Sequence, residues 1–404
     1  MKRKICLISS EYPPETGFGG IGTYTKIMAH ALSAKGHDVT VITLSEKKEE
    51  YETADGPVKI VRVSAGKYPL PQGKIFWRIR MLAYRYLPHS LVRMAFAASV
   101  AKAFKRLSSE RPFDVVEAAD CGAESYYLKL PKETKFIVRL HTPYSFSLKF
   151  NSQGIGRFDR KKLESMEKAC CKRADTVTSP TEALAIPLIR DWDLKKVVVF
   201  PNPMDFENIP PLIEEGEGKT CITYTGRLEY RKGVHLLIKA YAELKKLGIK
   251  EKLLIIGRAY GESGIKGKSY GDLIKDLIKK YQIGEDIEWI EGLPRTELLK
   301  HLKRTKVAVF PAVWDNYPYA CLEMMAAGIP VAAFKTGGFP EMVRDGIDGS
   351  LAKAMDCRDL ALKISELITE SEKAECLARS AKQRVSEICS ISEIVKKNED
   401  VYYS

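Results

Sequence analysis

A short turn in the second half of the chain carries two cations directly after a predicted strand. Arg227 and Lys232 lie within Thr225–Gly233, between a β-branched run and an amphipathic helical pattern. Arginine presents a planar fork of donors and lysine a mobile point charge, so the pair suits a phosphate or diphosphate. Open α/β sheets bind ligands at the carboxyl ends of their strands, where this turn falls. The ordinary alternative is a basic turn that is merely exposed.

A second stretch, Phe310–Gly328, brings two carboxylates and a helix start together. Asp315 lies in a loop after a predicted strand, and Glu323 lies one turn into a helix predicted to begin at about Tyr319. A carboxylate is a bidentate acceptor, so both side chains suit the hydroxyl groups of sugars. The amides of Tyr319 and Ala320 suit an anion. Taken singly, each acid also fits a helix-dipole carboxylate or a loop cap.

Two glycine-rich turns allow a ligand to approach the backbone closely. One, Thr336–Glu341, follows a predicted strand. The other, Gly17–Gly22, matches G-x-G-x-x-G, and Glu46 ends the second predicted strand, as in a dinucleotide fold. An NAD- or FAD-dependent oxidoreductase is therefore an alternative. Seven residues with two prolines separate the first strand from these glycines, however, so we interpret the loop as phosphate-facing.

Apolar runs alternate with helical patterns along the chain, which predicts parallel sheets with crossover helices. The predicted strands are Lys4–Ser9, Asp38–Leu44, Val58–Val63, Asp114–Ala118, Lys135–Leu140, Thr176–Ser179, Val197–Phe200, Cys221–Thr225, Lys252–Ile256, Ile287–Ile290, Val307–Phe310 and Pro330–Phe334. Four prolines and an acidic glycine run interrupt the pattern and predict a linker. We expect an N-terminal Rossmann-like domain at 1–203, a linker at 204–218, a C-terminal Rossmann-like domain at 219–390, and a final helix at 391–404 that crosses back to the first domain.

The formal charge of +13 lies entirely in the first half of the 404-residue chain. Residues 1–200 hold 34 Lys and Arg against 21 Asp and Glu, whereas residues 201–404 hold 31 of each. Such an excess of positive charge favours an anionic partner that binds the first half. The alternative is that the basic side chains only form a solvated surface. The nine cysteines form no CxxC pair, and the first apolar run is too short for a signal peptide. We therefore expect a cytoplasmic protein with free thiols.

One segment of the first half, Lys74–Arg106, combines helical spacing with basic and aromatic residues. Its basic side chains are Arg78, Arg80, Arg85, Arg93, Lys102, Lys105 and Arg106, and between them lie Phe76, Trp77, Met81, Leu82, Tyr84, Tyr86 and Leu87. This pattern suits the surface of an anionic membrane. It also suits a surface helix whose aromatic residues pack on the protein's own core, so both alternatives stay open.

Taken together, the motifs resemble the retaining glycosyltransferases of family 4, which have the GT-B fold. In that family an acid, then seven intervening residues and a glutamate, precede an Ala-x-Gly-x-Pro-Val run and a later Gly-Gly-x-Pro-Glu turn. This chain has Asp315, Glu323, Ala327–Val331 and Gly337–Glu341 in that order. The turn that holds the two cations, and the Pro-Asn-Pro-Met-Asp run at 201–205, also resemble the family. The resemblance covers nearly the whole chain.

The resemblance implies that the donor is a nucleotide sugar held between two domains that face a central cleft. Arg227 and Lys232 would hold its diphosphate and act in catalysis, together with the backbone amides of Gly20, Tyr319 and Ala320.

The resemblance also implies roles at the sugars. Glu323 would bind the ribose hydroxyls, and Asp315 and His141 would be catalytic residues that contact the transferred sugar. This chain departs from the family in having Asp at 315 where Glu is usual, and Tyr317–Pro318 where an aromatic residue and glycine are commoner. Both departures concern the identity of the donor sugar.

The implied activity is transfer of a hexose, with retention, from a UDP-sugar in the first place or a GDP-sugar in the second. The acceptor would be a glycan or a lipid-linked molecule, reached at the inner face of the membrane. We expect neither a metal nor a cofactor, since cations can stabilise the leaving diphosphate and no DxD-like motif lies in a suitable loop. A sugar-nucleotide epimerase of the same fold is an alternative. A nucleic-acid-binding module lacks any recognition motif, so no nucleic acid is expected.

Overall fold

The computed structural model of the chain describes residues 2–17, 19–47, 49–66, 77–151, 154–206, 219–263, 265, 267–293 and 295–404. The chain divides into two compact units. The first unit consists of Met1–Ser147, Ile155–Pro203 and Ile391–Ser404, and the second of Leu148–Gly154 and Met204–Ser390. Most of the linker expected at 204–218 lies outside the described residues.

The strands are short runs of mostly buried residues, as expected for sheets that are covered on both faces. In chain order they are β1 (Lys4–Ile8), β2 (Asp38–Leu44), β3 (Tyr51–Asp55), β4 (Val58–Val63), β5 (Val115–Ala119), β6 (Lys135–Arg139), β7 (Thr176–Ser179), β8 (Val197–Val199), β9 (Cys221–Thr225), β10 (Lys252–Ile256), β11 (Ile287–Ile290), β12 (Thr305–Phe310), β13 (Val331–Phe334) and β14 (Ser350–Ala352).

The helices connect these strands and cover the sheets. In chain order they are α1 (Gly20–Ala34), α2 (Trp77–Tyr86), α3 (Pro88–Glu110), α4 (Tyr144–Ser147), α5 (Arg157–Arg173), α6 (Glu182–Trp192), α7 (Val234–Lys246), α8 (Tyr270–Tyr281), α9 (Arg295–Leu302), α10 (Tyr319–Ala326), α11 (Phe339–Met342), α12 (Cys357–Thr369), α13 (Ser371–Ile388) and α14 (Ile391–Tyr403). Among the described residues, no helix has the length and apolar composition needed to cross a bilayer.

The sheet of the first unit has the strand order β3-β4-β2-β1-β5-β6-β7-β8. All neighbouring strands are parallel except β3, which pairs antiparallel with β4. The direction in which the strand order advances reverses between β1 and β5, and ligands bind at such a switch point in open α/β sheets. The final helix α14 belongs to this unit and contacts α1.

The sheet of the second unit is parallel throughout, with the order β11-β10-β9-β12-β13-β14. Its switch point lies between β9 and β12. The core on one side of this sheet is a continuous cluster of buried residues from α7, α8 and α12 packed on β9, β10 and β12. Each unit is therefore a Rossmann-like layer structure with one switch point.

Two local arrangements differ from the sequence-based expectations. Residues Leu148–Gly154 were expected in the first domain but belong to the second unit, because Asn151 hydrogen-bonds to the turn after β9. The expected helical segment Lys74–Arg106 is broken at Leu87, before Pro88, into α2 and α3, and residues 74–76 lie outside the described part of the chain.

The aromatic side chains of α2 do not pack on the core, so that alternative is wrong for this helix. Trp77 is 54% exposed and Tyr86 46%, and no residue of α2 is buried. Instead, α3 packs on the core through small and apolar residues such as Leu91, Ala95 and Phe104, which are buried.

Candidate functional site

The three motifs of the second unit follow adjacent strands. The turn at 226–233 follows β9, the loop at 311–318 follows β12, and the glycine turn at 335–338 follows β13. Because these strands are neighbours and parallel, their carboxyl ends bring the three segments together at the switch point.

Asp315 lies at the centre of these segments and pairs with two cations. Its Oδ1 accepts a hydrogen bond from Arg231 Nη1 at 2.8 Å, and its Oδ2 accepts one from Lys232 Nζ. Arg231 also donates to Glu229 Oε1 at 2.6 Å. The side chains of Arg231 and Asp315 are 8% and 10% exposed, so the charges are shielded from water and their interaction is strong.

The protonation states follow from these contacts. Burial alone would raise the pKa of Asp315, but the charges of Lys232 and Arg231 outweigh it and hold that pKa well below its ordinary value. Burial lowers the pKa of Lys232, and Asp315 offsets this only in part. Asp315 is therefore a carboxylate at neutral pH, and it gathers the two cations around itself.

Two glycines permit the close packing of these loops. Gly233 has φ +74°, and a Cβ there would lie 1.8 Å from the carbonyl oxygen of Pro311. Gly337 has φ +51°, and a Cβ there would lie 2.0 Å from the carbonyl oxygen of Asp315. Since any side chain would collide with backbone at both places, only glycine allows the three loops to meet.

A segment that the sequence did not indicate completes this turn. Asn151 Oδ1 accepts a hydrogen bond from the amide of Arg231 at 2.9 Å, and its Nδ2 donates to Glu229 at 3.3 Å. Next to it, the ring of Phe150 stacks on Trp314 with 5.4 Å between centroids. Asn151 is distant in sequence from the turn, so no local pattern could have revealed it.

The two remaining candidates of the second unit are more open to solvent. The side chain of Arg227 is 59% exposed and lies 3.7 Å from Glu229. Glu323 lies in the second turn of α10 and is partly buried. Tyr319 and Ala320 are the first two residues of α10, after an N-cap at Pro318, as the sequence predicted.

Within the described residues, no three His, Cys, Asp or Glu side chains lie close enough together to bind a metal ion.

In the first unit, the long loop after β1 leads to α1, which begins at Gly20. The carboxylate of Glu11 lies at this helix N-terminus, where its Oε2 accepts a hydrogen bond from Gly22 N at 3.3 Å. A Cβ on Gly19 would lie 2.9 Å from the same oxygen. The carboxylate of Glu11 therefore interacts with the same helix N-terminus that the sequence analysis predicted to bind phosphate.

The same loop is anchored by the hairpin of β3 and β4. Arg62 of β4 is buried and pairs with Glu15 at 3.0 Å, while its Nη2 donates to the carbonyl of Tyr12 at 3.2 Å. Tyr12 in turn donates to Asp55 of β3 at 2.9 Å. These contacts fix the conformation of the loop on the sheet edge.

His141 lies two residues after the end of β6, the strand next to β5 at the switch point. Its backbone amide donates to Asp120 Oδ1 at 2.9 Å, which ties the ends of β5 and β6 together. Its ring meets that of Tyr24 edge-on, with 4.9 Å between centroids. Burial, with a further contribution from Arg139, lowers the pKa of His141 to about 3, so the imidazole is neutral at physiological pH.

Comparison with known proteins identifies the family. The model for glycosyl transferases group 1 matches residues 205–384, and the model for Glycosyltransferase Family 4 matches residues 18–208. The chain is 25% identical to a glycogen synthase of Mycobacterium tuberculosis over 393 residues, which are 95% of this chain and 90% of that protein.

Solved structures show the same fold. The sucrose-phosphate synthase of Thermosynechococcus elongatus superposes with a TM-score of 0.76 at 20% identity, covering 100% of this chain and 98% of that one. HepE of Anabaena, solved with UDP and glucose, has a TM-score of 0.68 at 17% identity and full coverage of both chains. These matches do not favour the oxidoreductase or epimerase alternatives. The chain is a family 4-type glycosyltransferase with the GT-B fold.

Proposed function

We propose that this glycosyltransferase moves a hexose from a UDP-sugar, with a GDP-sugar as second candidate, to a glycan or lipid-linked acceptor with retention of configuration. The observation that carries the proposal is the set of Arg227, Lys232 and Glu323 on segments that meet at one switch point. A nucleoside diphosphate needs cations for its phosphates and a carboxylate for its ribose, and this set contains both. The UDP in HepE and the glycan product of glycogen synthase support the choice of substrates.

The cations supply the electrostatic part of catalysis in this proposal. When the bond between the anomeric carbon and the phosphate oxygen breaks, negative charge grows on the leaving diphosphate. Arg227, Lys232 and the helix-start amides of Tyr319 and Ala320 stabilise it, which makes the reaction independent of metal. Lys232 is already held by Asp315, so it is oriented before the donor binds.

Retention follows from attack on the same face of the sugar. The acceptor oxygen forms its bond to the anomeric carbon on the side from which the diphosphate leaves, and its proton passes to a departing phosphate oxygen. Asp315 and the neutral His141 contact the transferred sugar and hold it by hydrogen bonds. The low pKa of His141 supports a role in positioning, because the neutral imidazole can hydrogen-bond but is not the imidazolium that a general acid requires.

An anionic membrane surface is the further partner that we propose, through α2. Six large apolar side chains of this helix are at least 42% exposed: Trp77, Ile79, Met81, Leu82, Tyr84 and Tyr86. Phe158 of α5 is 68% exposed and meets Tyr86 edge-on at 6.3 Å, which extends the apolar face. Arginines 78, 80 and 85 lie on the same helix, and each cation near an anionic leaflet contributes about 1 kcal/mol. The nine free thiols support a reducing, cytoplasmic location at the inner face.

A panel of UDP-, GDP- and ADP-sugars, scored by thermal shift, tests the donor. A donor at 100 times its dissociation constant stabilises the protein by about 2.7 kcal/mol. Incubation of that donor with candidate acceptors, followed by analysis of the anomeric linkage, tests retention. EDTA treatment tests metal independence. If no nucleotide sugar of the panel shifts the unfolding temperature, the proposed donor class is wrong.

Co-sedimentation with liposomes tests the membrane partner. Binding should rise with the fraction of anionic lipid, fall with salt, and drop when Arg78, Arg80 and Arg85 are replaced by glutamine. Replacement of the exposed Lys279, Lys280 and Lys303 of the second unit serves as a charge-matched control. A wild-type protein that ignores anionic liposomes at low salt would leave a soluble acceptor as the better proposal.

A further inference from the structure

Glu117 is a buried carboxylate held by tyrosines from both ends of the chain. It lies on β5 and is 4% exposed. The hydroxyl of Tyr24 on α1 donates to its Oε1 at 2.9 Å, and the hydroxyl of Tyr402 on α14 donates to its Oε2 at 2.8 Å. Each oxygen therefore has a donor, as a buried polar group requires.

Tyr24 joins this carboxylate to the candidate catalytic histidine. Its ring meets the ring of His141 edge-on, 4.9 Å away and at 69°. The guanidinium carbon of Arg139 lies 5.1 Å from the centroid of the same ring. Asn398 of α14 also accepts from the Tyr24 hydroxyl, at 3.4 Å. The hydrogen bond between the Tyr24 hydroxyl and Glu117 thus helps to orient the Tyr24 ring. That ring in turn forms the surface on which His141 packs.

We propose that Tyr402, on the last helix of the chain, is a positioning residue for His141 and acts through Glu117 and Tyr24. The inference rests on the proposed role of His141 at the transferred sugar. Loss of the Tyr402 hydroxyl removes the hydrogen bond that Oε2 of Glu117 accepts within the described part of the chain, so the buried carboxylate reorients and Tyr24 moves with it. The final helix then has a part in catalysis besides its part in packing.

Nuclear magnetic resonance of the full chain labelled with ¹³C-histidine tests the contact without any substrate. The protein has six histidines, and His141 is assigned by the signal that disappears in His141→Gln. Tyr402→Phe should shift the His141 ring signal. The matched control is Tyr403→Phe on the same helix, since that side chain is 46% exposed and stacks on Arg3 instead. An unchanged His141 signal in Tyr402→Phe overturns the proposal.

Kinetics with the donor found by the thermal-shift panel separate positioning from stability. Tyr402→Phe should lower kcat about tenfold, as displaced catalytic groups do, while the dissociation constant of the nucleoside diphosphate stays unchanged. In a His141→Ala background the same substitution should have no further effect on kcat. An equal loss of kcat in both backgrounds would show that Tyr402 does not act through His141.

The outcomes also distinguish this proposal from the proposed function. If His141→Ala leaves turnover unchanged, the role of His141 at the sugar is wrong. If His141→Ala lowers turnover but Tyr402→Phe does not, only the positioning proposal is wrong. Should Tyr402→Phe fail to fold, Glu117→Gln takes its place, since glutamine offers one acceptor and one donor to the two hydroxyls. A shifted His141 signal then supports the proposal, and an unshifted one overturns it.

Discussion

The guanidinium of Arg231 lies 2.8 Å from the carboxylate of Asp315, and both side chains are at least nine-tenths buried. The acid that the sequence assigned to the donor sugar is thus already the counter-ion of a buried cation. Lys232 takes its second oxygen, so Asp315 links a structural arginine to a candidate catalytic lysine. Asp315 therefore determines where Lys232, the cation that we propose for the diphosphate, lies.

Replacement of Asp315 by asparagine should destabilise the second unit strongly. The substitution keeps the shape but removes the carboxylate that neutralises the buried Arg231 and Lys232, and breaking a buried pair costs about 3–5 kcal/mol. Calorimetry of the full chain measures the loss. Asp356→Asn is the matched control, because Asp356 is an exposed N-cap that asparagine replaces well. A variant as stable as the wild type would show that other groups neutralise the two cations.

Lys232→Ala and Arg227→Ala should lower turnover more than they weaken donor binding. Charge grows on the diphosphate as the glycosidic bond breaks, so the two cations contribute most in the transition state. Comparison of kcat with the dissociation constants of nucleoside and nucleoside diphosphate measures this difference. Lys246→Ala, at an exposed lysine of α7, is the control. Equal binding losses for both ligands with unchanged turnover would show that neither residue meets phosphate.

Glu323→Ala should weaken nucleotide binding and leave the fold intact. It removes a charged acceptor from two hydroxyl groups, at a cost of about 1.5–3 kcal/mol. Calorimetric titration with the nucleoside diphosphate measures the loss, and Glu323→Gln should give a smaller one. A 2′,3′-dideoxy nucleoside diphosphate should bind wild type and variant alike. If Glu323→Ala binds the normal nucleotide as tightly as the wild type, Glu323 does not lie at the ribose.

The strand pattern could be predicted from sequence because the strands of buried parallel sheets are continuous apolar runs. Six of the twelve predicted strands have the bounds found in the structure: Asp38–Leu44, Val58–Val63, Thr176–Ser179, Cys221–Thr225, Lys252–Ile256 and Ile287–Ile290. The missed strand β3 reads Tyr-Glu-Thr-Ala-Asp, lies at a sheet edge and is mostly exposed, so it has no apolar signal. The missed β14 has only three residues.

The candidate site was predictable only as far as local motifs extend. Arg227, Arg231 and Lys232 are three cations in one turn, and nothing in the sequence says that the middle one points inward to Asp315. Asn151 lies 80 positions before Arg231, so its contact depends on the tertiary fold. Spacing within a motif is readable from sequence, whereas the direction of a side chain is set by packing.

Glu11→Gln should tighten the binding of nucleoside diphosphates. The Glu11 carboxylate interacts with the N-terminus of α1, beside the Gly20 amide that we expect to meet phosphate, and two anions at one helix end repel each other. Removal of one charge should strengthen binding by about 1 kcal/mol, the usual size of an effect at a helix end. Calorimetric titration measures it, with Glu46→Gln as the control at an exposed site. Weaker binding in Glu11→Gln would show instead that Glu11 holds the loop in its binding conformation.

The first unit should become less stable as the pH rises from about 5 to 8. Glu124 is fully buried, and only one of its oxygens has a hydrogen-bond donor among the described residues, the amide of Ser10 at 2.7 Å. Burial raises the pKa of Glu124 to about 8, and burial likewise raises that of Asp120 to about 8. For both carboxyl groups the pKa in the folded state lies above the pKa in the unfolded chain. The stability that each neutral carboxyl group contributes is therefore complete below about pH 4. It is lost as the pH rises toward 8, at up to about 1.4 kcal/mol per pH unit for each group.

Glu124→Gln isolates one of these two groups. Glutamine keeps the acceptor for Ser10 and stays neutral, so the variant should match the wild type near pH 4 and exceed its stability at pH 8. Urea unfolding of the full chain at half-unit pH intervals measures both curves. Glu133→Gln, at an exposed site of the same unit, should leave the wild-type slope unchanged. If the Glu124→Gln curve runs parallel to that of the wild type from pH 5 to 8, the Glu124 carboxyl does not titrate in this range, and the pH dependence must come from other groups.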